Sequence, residues 1–374
     1  MLVYAVNLLI VTVFSFLATY FRDAENATNL LGEKKPLIWF CIPVLLSLIL
    51  VAGLRFKVGT DYTNYAIIYH DANAPNAIGP SGIKGIEIGF IWLCRLCYQF
   101  TASPFLMFFV VAAAISILFV LALRDYSKNF WFSCFLFVAT GEYTSTFNGI
   151  RQALATAIVF FATRYLINRQ MWRYFLFVGI ASLFHSSALV MIPIYFIVNV
   201  RAWSPAMWGV GALTVILLLG YNTVMPLFFT VLSQTRYGAY QTGPQDGVNG
   251  LRILVVFAPV ALAFLLQKQI RAAGKSTDVI VNLCFLNLLV MLLASKQIYI
   301  ARLSSYFEIY ELLLLPYIFD TARSRYFRVL GTAVVMVCFL ANWLVLLPRD
   351  SNVLPYQTIL SAPSGWNVNN NVSS

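Results

Sequence analysis

SPFLMFFVVAAAISILFVLAL, residues 103–123, carries no charge and no helix breaker beyond its second residue. A helix rises about 1.5 Å per residue, so some twenty such residues cover the roughly 30 Å of a bilayer's hydrocarbon. The run stops at Arg124-Asp125. Comparable apolar runs recur at 2–21, 37–54, 130–147, 148–167, 173–185, 187–200, 206–232, 251–267, 278–294, 302–319 and 329–347. Across 374 residues, 60% are hydrophobic and 10% charged, with a mean hydropathy of +0.79. An average soluble domain is about a quarter charged. The pattern predicts an all-α polytopic membrane protein with about twelve transmembrane helices.

Met1–Tyr20 lacks both a basic leader and a small-residue cleavage site, so it reads as a retained first helix. The net charge of +11 belongs to topology and not to nucleic acid, because no soluble basic domain exists to carry such a partner. Arg124 and Lys128, then Arg164, Arg169 and Arg173, then Arg201, then Lys268, Arg271 and Lys275, then Arg323, Arg325 and Arg328 mark inside loops. An even number of crossings separates each successive pair. The segment 86–100 is short and interrupted by Arg95. If it crossed, the polar stretch Arg55–Tyr65 would fall inside, away from the other polar motifs, so it reads as a re-entrant or interfacial helix. Both termini then lie outside. Residues 1–347 form a single integral membrane domain, and 348–374 form an outer tail, disordered over its Asn/Ser-rich end.

Of six cysteines, Cys94 and Cys97 form a CxxC, but no second pair follows and only two histidines exist. A closed metal site lacks ligands, and small core residues are the better reading. No P-loop, HExxH or dinucleotide fingerprint appears, so neither metal nor cofactor is expected.

The polar motifs concentrate on the outer face. In Arg-Phe-Lys-Val-Gly-Thr-Asp-Tyr-Thr-Asn-Tyr (55–65), Arg55 and Lys57 suit an anionic group, and Asp61 positions them or takes a proton. A plain salt bridge of Asp61 with Arg55 or Lys57 is the blander alternative. Tyr62 and Tyr65 offer rings to stack on sugars. Glu87 follows Gly79, Gly82 and Gly85 and opens the short helix, where capping is a competing role. Asn148-Gly-Ile-Arg151-Gln152 opens a span; an arginine there opposes the helix dipole and calls for an anion, and free N–H groups suit phosphate. His185-Ser186-Ser187 interrupts an apolar hairpin, as a general base, a sugar partner, or a turn capped by Ser186. No Gly-x-Ser-x-Gly elbow supports a serine hydrolase. Arg302 begins another run with Tyr306 one turn on, on the same face, while Glu308 and Glu311 lie deeper on another face. Arg236 and Tyr237 are outer-loop candidates. Arginines, tyrosines, a few carboxylates and one histidine suit a lipid-linked pyrophosphate and its sugars.

Residues 53–62 (Gly-Leu-Arg-Phe-Lys-Val-Gly-Thr-Asp-Tyr) with Tyr65, Glu87-Ile-Gly89, Phe147-Asn-Gly-Ile-Arg-Gln-Ala153, Phe184-His-Ser-Ser-Ala-Leu189 and Arg302-Leu-Ser-Ser-Tyr306 together resemble the EpsG family, which includes Wzy-type O-antigen polymerases. The resemblance covers about residues 40–320. Ile88 departs from a proline common after the Glu. The resemblance implies a bacterial inner-membrane, GT-C-like, metal-independent glycosyltransferase acting at the periplasmic face. Its substrates would be undecaprenyl-pyrophosphate-linked oligosaccharide repeats of O-antigen or exopolysaccharide. Arg151 and Arg302 would then bind the donor pyrophosphate, with Asp61, Glu87 or His185 as the base. Membrane lipids and a chain-length regulator are the further partners it suggests. The alternatives are a lipid-linked oligosaccharide flippase and an O-antigen ligase.

Overall fold

The computed structural model describes residues 1–21, 28–74, 85–224, 247–271, 274–349 and 352–361. It is all-α, and the described residues hold isolated β-bridges but no strand. Among the described residues, four helices are long and apolar enough to cross a membrane: α1 (Leu2–Tyr20), α5 (Phe105–Tyr126), Lys275–Ala294 and Arg325–Leu346. Seven shorter apolar segments accompany them. Only 6% of the apolar window in Arg325–Leu346 is buried. Helix sides bearing Val329, Val337, Leu2 and Leu9 lie open, a surface stable in lipid and aggregating in water. This is a membrane protein.

Several sequence runs break where backbone chemistry interrupts the helix. The run 130–147 divides into α6 (Phe130–Ala139) and α7 (Glu142–Ser145) at Gly141, which takes a left-handed φ of 93°. The run 148–167 divides into α8 (Ile150–Phe161) and α9 (Thr163–Ile167), and the Thr163 hydroxyl takes up the Phe160 carbonyl at 2.6 Å. The run 302–319 becomes a 3-10 segment (Ile298–Ser304), a four-residue helix (Ser305–Glu308) and Glu311–Thr321. The short segment 86–100 forms α4 (Ile88–Tyr98); eleven residues reach about 16 Å, half of what a crossing needs.

The chain divides into two compact units. The first contains Met1–Arg164, Arg173–Leu189 and Val329–Ser374; the second contains Tyr165–Trp172 and Val190–Arg328. In the first, α1, α2 (Ile38–Gly53), α5, α6 and α8 pack side by side. Their two ends differ in chemistry. At one end Asp125 pairs with Lys35 at 2.7 Å and with Arg164 at 2.8 Å, Glu33 pairs with Lys128, and Arg124 donates to the Pro36 carbonyl. At the other end of α2, about 24 Å away by helix rise, begins the stretch holding Arg55 and Asp61. The tail crosses that second end: residues 352–361 lie against 54–59 through backbone hydrogen bonds and against Val51 through the Tyr356 phenol. In the second unit, Trp203, Trp208, Phe264 and Phe285 form an aromatic cluster with ring centroids 5.1–6.0 Å apart. Asn282 there binds the Val198 and Val200 carbonyls.

Candidate functional site

Glu87 lies immediately ahead of α4, where a carboxylate is expected to cap the helix. Its side chain makes no capping bond. Instead, Oε2 accepts from Arg151 Nη1, Oε1 accepts the Ser186 N–H at 3.0 Å, and His185 Nδ1 lies 3.4 Å from Oε1. Burial pushes the Glu87 carboxyl up, but His185, the Ser186 N–H and the Arg151 charge outweigh it and hold the group down at about 2. Glu87 is therefore a fixed anion at neutral pH. Its side chain is 8% exposed, against 17% for Arg151 and 23% for His185.

Three chain segments meet here because Gly89 allows it. The Gly89 N–H donates to the Leu183 carbonyl at 2.9 Å, and a Cβ at Gly89 would stand 2.7 Å from that same oxygen. The backbone of α4 thus rests directly on the end of α10 (Met171–Ser182), two residues before His185. Arg151 also donates to the Gly85 carbonyl at 3.0 Å. Tyr65, on α3 (Tyr62–Asp71), sits beside it: burial pushes the phenol up and the Arg151 charge pulls it back. The anion that Arg151 demands at its helix terminus is Glu87. Gln152 follows on the same turn, partly buried.

The residue that caps α8 is held from across the chain. Asp61 Oδ2 accepts the N–H of Gly149, the N-cap of α8, at 2.9 Å. Asn148 Oδ1 accepts from the Thr60 hydroxyl at 3.0 Å and from the Asp61 N–H at 3.4 Å. Gly59 (φ 98°) permits this close approach, since a Cβ there would stand 2.9 Å from Asn148 Oδ1 and 3.1 Å from the Phe147 carbonyl. Lys57 is exposed, its ammonium 5.9 Å from the Phe56 ring centroid.

Arg55 lies inward, 2% exposed. Its Nη1 donates to the Ala52 carbonyl at 2.5 Å and its Nη2 to the Phe147 carbonyl at 3.2 Å. The guanidinium also stands 4.8 Å and 5.1 Å from the Phe147 and Phe108 ring centroids. Burial lowers its pKa to about 10, against the opposing pull of Tyr62, Tyr143, Tyr4 and Tyr356, so it stays cationic at neutral pH. Its guanidinium braces the end of α2 against the segment before α8, and no salt bridge to Asp61 forms. Tyr62, 1% exposed, stacks on Phe108 with centroids 4.4 Å apart.

In the second unit Arg302 is exposed and stands 5.6 Å from the Tyr299 ring centroid, whereas Tyr306 is fully buried. The expected common face fails because Arg302 sits in a 3-10 turn, whose roughly 120° per residue carries position i+4 off the face of i. Glu308 and Glu311 belong to a linked set. Asn287 Nδ2 donates to Glu311 Oε1 at 2.9 Å, and Ser304 Oγ lies 2.5 Å from Asn287 Oδ1 and 3.2 Å from Glu308 Oε2. Arg252 Nη2 approaches Glu308 Oε2 at 3.7 Å. Arg236 and Tyr237 lie outside the described residues.

Sequence reasoning missed Arg252, Asn287 and Tyr356. Asn249, which caps Gly250–Leu265 by accepting the Leu251 N–H at 2.9 Å, marks a helix start just before Arg252. Two Asn, 282 and 287, in the otherwise apolar and uncharged stretch 279–294 were the signal for Asn287. Nothing local marked Tyr356.

A family model described as the EpsG family matches residues 38–358, most of the chain. No curated protein and no solved structure matches. The matched span contains the Arg55–Tyr65 stretch, Glu87-Ile-Gly89, the Asn148–Arg151 helix start, His185 and Arg302, and the chain belongs to the EpsG family, whose members are Wzy-like polymerases.

Proposed function

We propose that this protein polymerises undecaprenyl-pyrophosphate-linked oligosaccharide repeats of an O-antigen or exopolysaccharide. The work takes place at the periplasmic face of the bacterial inner membrane, in a multi-pass fold of about twelve spans and GT-C-like class. The observation that carries this reading is the Glu87–His185–Arg151 cluster. A carboxylate held anionic near pH 2 cannot serve as a base at neutral pH, but it can orient an imidazole. Glu87 on Nδ1 leaves Nε2 as the atom that takes a proton, the logic by which a carboxylate fixes a catalytic histidine.

In the reaction, an acceptor hydroxyl on the new lipid-linked unit loses its proton to His185 Nε2. Its oxygen attacks the anomeric carbon of the growing chain. The bond from that carbon to the phosphate oxygen breaks, and the carrier leaves as its pyrophosphate. Pyrophosphate needs charge neutralisation more than protonation, and we propose the exposed Arg302 of the second unit for a substrate anion. Arg151 takes part through Glu87 and Tyr65, and Asp61 and Asn148 fix the start of α8. Lys57 is free to meet anionic substrate groups at the surface. The ion-paired chemistry at the opposite end of the first unit's helices fits an enzyme working at one face better than a flippase, which needs polar groups open to both.

The test removes the protein from its host and displays the surface polysaccharide on a gel. Collapse of a ladder to a core bearing one repeat supports polymerisation. Loss of that single repeat as well points to ligation or flipping and overturns the reading.

A further inference from the structure

The stretch 54–61 leads from α2 to α3 without regular structure of its own, so its backbone groups need partners elsewhere. The C-terminal tail supplies them. The Phe56 N–H donates to the Gln357 carbonyl at 2.9 Å, the Gly59 N–H to the Asn352 carbonyl at 2.9 Å, and the Ile359 N–H to the Leu54 carbonyl at 2.9 Å. Arg55 and Thr358 pair as an antiparallel bridge. Two phenols fasten the arrangement at its ends: Tyr356 donates to the Val51 carbonyl and Tyr4 to the Val353 carbonyl, each at 2.9 Å. The rings of Tyr4 and Tyr356 meet edge to face at 5.5 Å, and Val353 is fully buried. Burial raises the Tyr356 phenol to about 12, so it remains a donor at any physiological pH.

We propose that residues 352–361 are a positioning strap for the site. The tail adds its backbone to the loop 54–59 in the manner of a peptide adding to a sheet edge, and the loop so fixed delivers Asp61 to the Gly149 N–H. Gly59 is two residues before Asp61, and Gly149 two before Arg151. The strap therefore sets where α8 begins and where Arg151 meets Glu87, without touching either. Tyr356 is a positioning residue in this scheme.

The experiment is amide hydrogen exchange on the full-length protein in detergent, comparing wild type with the double variant Tyr356→Ala/Ile359→Pro. That variant removes one phenol and one strap donor and leaves every site residue in place. Phe56 and Gly59 report directly on the strap, Gly149 reports on Asp61, and Ser186, held by Glu87, serves as the internal reference. A charge-assisted bond to a backbone N–H is strong enough that its loss raises exchange at Gly149 by about tenfold or more. The expected result is faster exchange at Phe56, Gly59 and Gly149 with Ser186 unchanged. Release at Phe56 and Gly59 with Gly149 still protected overturns the proposal and makes the tail a cover only. If Ser186 is released too, Tyr356→Phe is measured, which deletes one oxygen; Gly149 unchanged in that variant overturns the proposal, and Gly149 alone accelerated upholds it. The link to catalysis rests on the polymerase reading and is read separately. Gly149 released while the polysaccharide ladder stays full-length counts against that reading of the site and leaves the strap standing.

Discussion

Glu87 Oε1 lies 3.4 Å from His185 Nδ1 while Glu87 Oε2 holds the Arg151 guanidinium, so one carboxylate stands against both candidate groups. Glu87→Gln keeps the shape but removes the charge, leaving the imidazole and the guanidinium without their anion. Both His185→Ala and Glu87→Gln are expected to lower the polymerisation rate by about a hundredfold or more. Combining them should add little, because they act as one unit. Chain-length distributions on a gel and single-turnover rates with purified protein check this. Normal chains from His185→Ala would remove it as the base.

The same carboxylate makes the protein acid-sensitive. Its pKa in the fold, about 2, lies below the ordinary 4.5, so its stabilising contribution is complete above about pH 4.5 and fades as pH falls towards 2. Thermal unfolding in detergent is expected to show a loss over that window which is smaller in Glu87→Gln. Identical acid profiles for the two proteins refute the assignment.

Gly89→Ala introduces a methyl group 2.7 Å from a backbone oxygen, an atom that cannot swing aside. Forcing α4 away from Leu183 is expected to cost about 1–3 kcal/mol and to separate Glu87 from Ser186 and His185. Unfolding temperature and polymer yield should fall together. An unchanged unfolding temperature would show that the two backbones are not in contact.

Arg55 and Arg302, both read from the sequence as cations for a substrate anion, should behave in opposite ways. Arg302→Ala is expected to lose about two orders of magnitude in rate with the unfolding temperature unchanged, since the side chain is exposed. Arg55→Ala strands two carbonyls and vacates a buried site, so protein yield and unfolding temperature should drop first. Arg55→Lys should recover little, because an ammonium cannot serve both carbonyls and both rings with a planar fork. Loss of activity from Arg55→Ala in a fully stable protein would return Arg55 to the substrate-binding set.

The membrane class and the helical make-up were legible in the apolar runs, because hydrocarbon thickness dictates run length. The breaks inside those runs were not. Gly141 and Thr163 interrupt hydrogen bonding without changing hydropathy, and the 3-10 turn at Arg302 alters which residues share a face without changing composition. Residue type pointed to Glu87, Arg151 and His185 as candidates, but their convergence depends on tertiary approach at Gly89. Arg55 looked like a substrate cation because arginine is costly to bury, and no local pattern reveals that Ala52 and Phe147 supply its acceptors. The tail reads as an appendage because its partner, the irregular stretch 54–59, lies some 300 residues earlier in the chain.

Asp125 and Glu33 clamp Lys35, Arg164 and Lys128 at the end of the first unit away from the site. Under the topology proposed above, these three cations serve twice at different times. As the chain is inserted, unpaired, they orient the helices by their retention on the cytoplasmic side. Once the helices pack, the same charges are neutralised by neighbours and turn into fasteners between the loop after α1, the end of α5 and the start of α9. A sorting signal spent in biogenesis becomes a lock in the mature protein, and the finished surface is less basic than the sequence that built it.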